Sequence, residues 1–444
     1  MKREIFQLNA TNILIFFIII SFFLGFFFNE NSAGGGNIEE LKFQWGNYTM
    51  FIYNDLLTAI NLTKGGSDQF GISYGSSRTP LIPILQAFFI SLFKGNISLV
   101  FNPNELFFFR FVNTIISCFV PLIFFICLKK KFYYLENNKL LLLSLSVVFL
   151  SPYFRTSAFW GFTENYTFIF MLLTYLFYFS ITNKKNNNLL NIKLFFLAFF
   201  SSLCVYVDVK ALIIPLICYI SLLKFSIDLK KKLLLSCFYF IFSVPFLYLL
   251  KIWGGPIPPF SAQDRELNSL FFDNIGYACS IIFFYLIPIL FFKKKNFLET
   301  LNKKKLFIFL LLSSFLVFFI FIFGFKNQID LGKGIFDKFL KIFFKNDEIR
   351  QSFLYFLFII SIFTIVNYID YLSDALIIIY FCLIHLISLW IFQEYFDPFI
   401  LLLSFTFFQT QLKISSKLIY TLLVYQSFFL ISCILYYNKN LFFN

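Results

Sequence analysis

Leu106–Lys131 reads LFFFRFVNTIISCFVPLIFFICLKKK, a run dominated by apolar side chains and closed by three lysines. A helix needs about 20 such residues to cross roughly 30 Å of hydrocarbon, so the stretch reads as a transmembrane helix. The lysines mark the cytosolic end, because cytoplasmic loops of membrane proteins carry an excess of Lys and Arg.

Outward from this stretch the same pattern recurs. Apolar runs lie at about 12–28, 106–128, 139–157, 165–183, 193–209, 211–227, 233–252, 275–292, 306–324, 352–368, 374–392, 398–412 and 417–437. Every second connection carries a basic cluster: Lys2/Arg3, Lys129–Lys131, Lys184/Lys185, Lys224 with Lys230–Lys232, then Lys293–Lys295 with Lys303–Lys305. The other connections hold carboxylates, aromatics, glycines and prolines, and are expected on the extracytoplasmic side. The expected fold is all-α, a single polytopic membrane domain over 1–444 with about 11–13 transmembrane helices. Asn29, Glu30, Asn31, Ser32 and Ala33 make a poor signal-peptidase site, so the first helix is expected to stay as an anchor.

Composition agrees. The 444 residues are 59% hydrophobic and 14% charged, with a mean hydropathy of +0.79, which excludes an ordinary soluble domain. The net charge of +14 does not point to nucleic acid, since the lysines are dispersed between apolar spans and form no aromatic-interleaved face. The 75 phenylalanines, with abundant Ile, Lys and Asn, suggest an AT-rich genome, so much of the phenylalanine reads as interchangeable lipid-facing residue. The eight cysteines fall almost entirely inside apolar spans, none at a metal-binding spacing from another, and read as small buried hydrophobes. The single histidine, His385, is mid-helix with no nearby Cys or carboxylate, so neither a histidine triad nor a metal cluster is expected.

The first outer loop, 29–104, is the longest polar stretch. Within it Phe43 to Ile60 is expected as an interfacial helix. The run that follows Arg78-Thr79-Pro80-Leu81-Ile82-Pro83 is expected to lie on or dip into the outer face, because a full crossing would place Lys129–Lys131 outside. The loop at 325–351 is outer by count, yet it carries Lys326, Lys333, Lys338, Lys341, Lys345 and Arg350. Either the helix count slips there or these residues have an anionic ligand.

An ionised group at the bilayer centre costs roughly 2.5–3.5 kcal/mol, which turns attention to charges at the outer ends of spans. Five clusters qualify: Glu39/Glu40, Arg78, Glu164 after Trp160-Gly161-Phe162-Thr163, Asp208/Lys210, and Asp264-Arg265-Glu266. Each alone reads equally well as an interface anchor. Their recurrence on the face of the long first loop is what points to a site.

This layout resembles the GT-C superfamily of integral-membrane glycosyltransferases, which use polyprenyl-phosphate-linked sugars. The shared features are a first helix, a long outer loop with acidic residues, a Pro-containing segment (Arg78 to Pro83) and an acidic residue, Glu164, between the third and fourth spans. Within the superfamily, Tyr153-Phe154-Arg155-Thr156 through Phe162-Thr163-Glu164 is similar to an aromatic-rich stretch of the dolichyl-phosphate-glucose α-1,2-glucosyltransferases. Trp253-Gly254-Gly255 with Asp264-Arg265 resembles their Gly-rich loop, and Asn346-Asp347 with Arg350 and Tyr395-Phe396-Asp397-Pro398 echo two late motifs. The chain departs from that family where Arg-Gln-Thr-Asn is replaced by Val207-Asp208-Val209-Lys210, where the early acidic pair is displaced to Glu39/Glu40, and where an arginine is Glu394.

The resemblance implies an inverting hexosyltransferase acting on the extracytoplasmic face, with a lipid-linked or protein acceptor, in a bacterial inner membrane or an endoplasmic reticulum membrane. Such chemistry needs a carboxylate to take the acceptor proton and cations to stabilise the departing phosphate. Glu40 or Glu39 is assigned the base, with Glu30 and Asp55 behind them. Arg265, Lys210 and Arg78 are the phosphate partners and Arg350 a further contributor, while Glu164 orients the acceptor. Asp264, Trp253 and Asp208 complete the substrate-binding set. No cofactor is called for beyond the lipid-phosphate sugar, and no ligand spacing points to a divalent metal. The competing readings are a multi-span transporter or flippase of a lipid or sugar, a polysaccharide polymerase or ligase, and a membrane scaffold.

Overall fold

A computed structural model of the protein describes residues 2–33, 79–82, 85, 103–183, 189–224, 228–255, 270–293, 302–325, 332–388 and 391–438. Among them the fold is helical, and the only β feature is an isolated bridge between Lys293 and Leu412. The helices are α1 (Lys2–Phe27), α2 (Pro103–Ser117), α3 (Phe119–Lys131), α4 (Asn137–Val148), α5 (Pro152–Trp160), α6 (Glu164–Thr182), α7 (Leu190–Val207), α8 (Ile213–Lys224), α9 (Leu229–Trp253), α10 (Asp273–Leu290), α11 (Lys303–Phe323), α12 (Gly334–Phe343), α13 (Asp347–Tyr368), α14 (Leu372–Ile384), α15 (Phe399–Phe405) and α16 (Ser416–Tyr437).

Among the described residues nine helical spans are long and apolar enough to cross a membrane, or ten if the bent pair α4–α5 counts as one. The protein is an integral membrane protein. Side chains left outside the packing fit that environment: Phe307, Phe318 and Phe321 on α11 are all exposed, a surface that water would not tolerate but lipid does.

Among the described residues four of the thirteen expected runs do not form an unbroken span, and each has a local cause. The run 139–157 is broken, because Ser151 caps α5 by accepting from the Phe154 N–H (3.0 Å) and Pro152 starts the new helix, bending the chain by 75°. The run 211–227 opens as a 3-10 turn, Val209–Leu212, and leaves only the 12 residues of α8. The run 374–392 ends at Ile384, and 398–412 yields only the seven-residue α15. The expectations for Phe43 to Ile60 and for most of the run after Pro83 fall outside the described residues.

By its contacts the chain divides into two compact units, residues 1–263 with 429–444, and residues 264–428. In the first, α6 and α7 form a long antiparallel pair in which Phe177 stacks against Phe196 and Phe200 (5.4 and 5.7 Å). Near the lysine-poor end of α9 the ladder opens around Pro245. The Tyr206 hydroxyl enters the gap, accepting from the Phe246 N–H and donating to the Phe242 carbonyl, both at 2.8 Å.

In the second unit α10 is the central helix, and Gly276 lets the Phe358 ring of α13 lie against its backbone. Helices α14 and α15 form a hairpin with both ends at the lysine-rich side. There the Asp374 carboxylate accepts from the backbone N–H groups of Gln409 and Thr410 and from the Thr410 hydroxyl, at 2.8–2.9 Å. Beside it Lys293 and Lys305 both reach Asp370 Oδ1 (2.8 and 3.0 Å). Burial alone raises the Asp370 carboxyl, but the hydrogen bonds and charges of the two lysines outweigh it and hold the group below its ordinary value.

Candidate functional site

At the lysine-poor end of the first unit, α1, α2, α5 and α6 bring polar side chains into one buried network. Its centre is a two-point contact between the Arg155 guanidinium and the Glu30 carboxylate, with Nε–Oε1 at 2.7 Å and Nη2 on Oε2. Arg155 is 1% exposed. It also donates to the carbonyls of Ser21 (2.7 Å) and Phe149 (3.2 Å), so it ties the end of α1 to the α4–α5 corner. The 75° bend makes this possible, because it swings α5 across the end of the unit with its side chains buried. Gly25 is part of the same fit, since a Cβ there would collide with Arg155 Nη2, Glu30 Oε2 and the Phe159 ring.

A second arginine lies beside the first. Arg110 on α2 donates to the Phe159 carbonyl (2.8 Å) and to Asn29 Oδ1, and its guanidinium sits 4.1 Å from the centre of the Trp160 ring. The Trp160 indole N–H in turn donates to the Glu30 carbonyl at 3.1 Å. Ser32 donates to the Pro152 carbonyl (2.8 Å) and contacts the Thr156 hydroxyl (3.2 Å), fixing the chain just past α1 onto α5.

Glu164 opens α6, where a helix N-terminus favours a carboxylate. It is buried, with the Ser157 hydroxyl 3.5 Å from Oε2. In the same first turn the Tyr166 hydroxyl donates to Asn113 Oδ1 (2.7 Å), and Asn165 Nδ2 donates to Ser117 Oγ (2.9 Å) and the Phe154 carbonyl (3.2 Å). Ile82, Tyr166 and Val207 pack as one buried cluster, which joins the segment after Thr79 to the start of α6 and the end of α7. Thr79 donates to the Val207 carbonyl at 3.1 Å. Asp208 terminates α7, accepting from the Lys210 N–H (2.9 Å) and pairing with Lys210 Nζ at 3.4 Å. Trp253 ends α9, buried, before Gly254 in the left-handed conformation.

Of the sequence-derived site residues, Glu164, Asp208, Lys210 and Trp253 are described, and all four belong to this unit at span ends. Glu39, Glu40, Arg78, Asp264 and Arg265 lie outside the described residues, as does Asp55. Lys210 carries its own counter-ion in Asp208, which lessens its availability to a phosphate. Glu30, named as a fallback for the base, is engaged on both carboxylate oxygens by Arg155. Arg155 stands in the aromatic-rich stretch with no role expected of it, and Arg110 belongs to none of the five charge clusters. Its signal was present: an arginine inside an apolar run is expensive enough to demand partners.

The second unit holds its own polar ground. Two non-helical stretches, around 332–333 and 391–392, meet through Lys333 N–H to the Ile391 carbonyl (2.7 Å). Gln393 strengthens the contact, accepting from the Ile335 N–H (2.7 Å) and donating to the Tyr285 hydroxyl (3.1 Å). Lys333 is buried with its ammonium 5.5 Å from the Tyr277 ring, and the buried Asp337 pairs with Lys341 at 3.1 Å. The expected basic loop at 325–351 thus contains α12, whose Phe339, Ile342 and Phe343 are exposed while Gly334 and Asp337 are buried. Arg350 pairs with Asp347 in the first turn of α13 (2.9 Å). His385, expected mid-helix, instead caps the end of α14, where it is buried and stacked on Tyr395. Among the described residues no group of three or more His, Cys, Asp or Glu is placed to hold a metal ion.

No protein-family model, curated protein or solved structure matches the chain.

Proposed function

We propose that the protein is a GT-C-type membrane glycosyltransferase that moves a sugar from a polyprenyl-phosphate donor to a lipid-linked or other acceptor at the lysine-poor face. The observation that carries the reading is the ordered polar network at that end of the first unit, where Glu30–Arg155, Arg110 and Glu164 are gathered around the bent helix α5. Buried charges at a membrane boundary are costly, and a network that pairs the Arg155 and Glu30 charges supports a scaffold that holds reacting groups in register.

In this reading Glu39 or Glu40 takes the acceptor proton and Glu164 orients the acceptor. Arg265 and Arg78 neutralise the leaving phosphate, with Lys210 assisting, and Asp264, Trp253 and Asp208 contact substrate. Displacement by a single base inverts the anomeric centre. The test is turnover of radiolabelled polyprenyl-phosphate sugars by the purified protein in lipid, scored as release of the lipid phosphate. Glu39→Gln/Glu40→Gln is expected to abolish release, and a near-normal rate removes both residues from the base role. Arg265→Ala is expected to weaken donor use, and an unchanged apparent affinity argues against its assignment.

One observation favours a second reading, transport of a lipid or sugar. The second unit buries Lys333 and Asp337 beside non-helical backbone, a feature of membrane transporters. Proteoliposomes separate the two: translocation of the labelled lipid without cleavage of its sugar phosphate supports transport and sinks the transferase.

A further inference from the structure

Cys279 and Cys382 lie 103 residues apart in sequence, yet their sulfurs are 3.7 Å from each other. Both are buried in the second unit, Cys279 on α10 and Cys382 on α14. The two helices are locked in register close by. Asn274 Nδ2 donates to the carbonyls of His385 (3.0 Å) and Ser388 (2.7 Å), and the Phe271 N–H donates to the Leu386 carbonyl (2.8 Å). Cys279 follows Asp273, the first residue of α10, by six positions, which places it about 9 Å along the helix from its lysine-poor end.

We propose that Cys279 and Cys382 form a disulfide, an oxidative modification site that staples the tip of the α14–α15 hairpin to α10. The geometry is close to what the bond needs. A disulfide brings the sulfurs to about 2.05 Å, a closure of less than 2 Å that side-chain rotation can supply between helices already in contact. A metal is not the alternative partner, because no third His, Cys, Asp or Glu joins the pair among the described residues. The charge pattern places this end of α10 on the extracytoplasmic side, where disulfides form and persist.

The oxidant is a disulfide-bearing compound or protein on that side. One thiol loses its proton, and its thiolate attacks a sulfur of the oxidant, releasing one thiolate and leaving a mixed disulfide. The second cysteine, likewise deprotonated, attacks the protein sulfur of that intermediate and expels the oxidant's remaining thiolate. Two protein thiols thereby give up two electrons and two protons, and the oxidant disulfide becomes two thiols. Closure fixes the segment whose carbonyls hold Asn274, so the hairpin tip is free to separate from α10 only in the reduced form.

The experiment uses the full-length protein in lipid nanodiscs, incubated with oxidised glutathione, quenched in acid, denatured and titrated with a maleimide. Six of the eight cysteines are expected to react, dithiothreitol is expected to restore all of them, and peptide mapping is expected to find Cys279 joined to Cys382. Retention of every thiol under an oxidant excess that cross-links the denatured chain overturns the proposal, as does a bridge joining other cysteines. In Cys382→Ser no bridge within the chain forms at Cys279, and any thiol lost there to the oxidant is expected to be recovered as a mixed disulfide carrying one glutathione. The mapping of the unsubstituted protein decides the matter even where that variant fails to fold.

Discussion

Deleting the charge of Glu30 would strand a guanidinium that the fold has taken out of water. Arg155 is 1% exposed and would retain only the carbonyls of Ser21 and Phe149 and the Ser21 hydroxyl as acceptors. Breaking a buried ion pair by removing one partner costs roughly 3–5 kcal/mol, and Glu30→Ala is expected in that range. Glu30→Gln should cost less, because its amide oxygen still accepts from Nε. The double substitution Glu30→Ala/Arg155→Met removes the stranded charge and is expected to recover at least half of the Glu30→Ala loss, and together with Arg155→Met alone it closes a double-mutant cycle that reads the coupling. The measurement is unfolding in mixed micelles against increasing dodecyl sulfate, followed by tryptophan fluorescence, to which Trp160 contributes from its seat on the Glu30 carbonyl. The loss should be the same at low and high salt, because screening acts weakly on desolvated pairs. A Glu30→Ala protein within about 1 kcal/mol of the unsubstituted one would place the pair among exposed salt bridges and refute its anchoring role.

Three further outcomes are expected. Gly25→Ala should destabilise the first unit by about 1–3 kcal/mol despite alanine's better helix propensity, since its methyl has no room beside Arg155 and Glu30; a thermal aggregation midpoint equal to that of the unsubstituted protein would contradict it. Tyr206→Phe strips the hydroxyl that bridges Phe246 and Phe242 and should cost about 1 kcal/mol, with faster amide exchange around residue 246; unchanged exchange there would show that the helix closes its own ladder. Asp370, held below its ordinary value of 3.8 by Lys293 and Lys305, contributes stability that is present above that value and is lost as pH falls through its lower folded value. Stability should therefore be insensitive to this group between pH 7 and 5 and decline below about pH 4, and Asp370→Asn should remove that decline while lowering stability at neutral pH; an identical acid profile in the variant would refute the assignment.

The membrane class was legible because it rests on a bulk property: apolar runs of the right length with lysines at alternate connections. What sequence could not show was where a run breaks. The Ser-Pro step at 151–152 is a recognised helix start, yet inside an apolar stretch it read as part of one span, and the bend it causes creates the whole α5 floor. Similarly, 374–412 carried enough hydrophobicity for two spans, but the chain forms α14, a 3-10 turn at Gln393–Tyr395 and the short α15, and Asp374 ties the segment after α15 to the start of α14. The site was legible only at positions where a charge stands at a span end, such as Glu164 and Asp208. Arg110, Arg155 and Glu30 acquire meaning through pairing across 81 to 125 residues of sequence, and no local pattern encodes that. The Cys279–Cys382 contact was invisible for the same reason.

The charge balance of the first unit's network bears on how a phosphate would be handled there. Arg155 is matched by Glu30, Lys210 by Asp208, and Arg110 spends its donors on the Phe159 carbonyl and the Asn29 amide beside the Trp160 face. Glu164 adds a negative charge with a serine hydroxyl as its neighbour. A network so internally satisfied gains little by admitting an anion, because each cation would have to surrender a partner it already holds in a low-dielectric setting. Its strength is rigidity: it fixes the ends of α1, α2, α5 and α6 relative to one another whether or not substrate is present. Within the proposed function, Lys210 could reach a leaving phosphate only by giving up Asp208, and Glu30 could take a proton only by giving up Arg155.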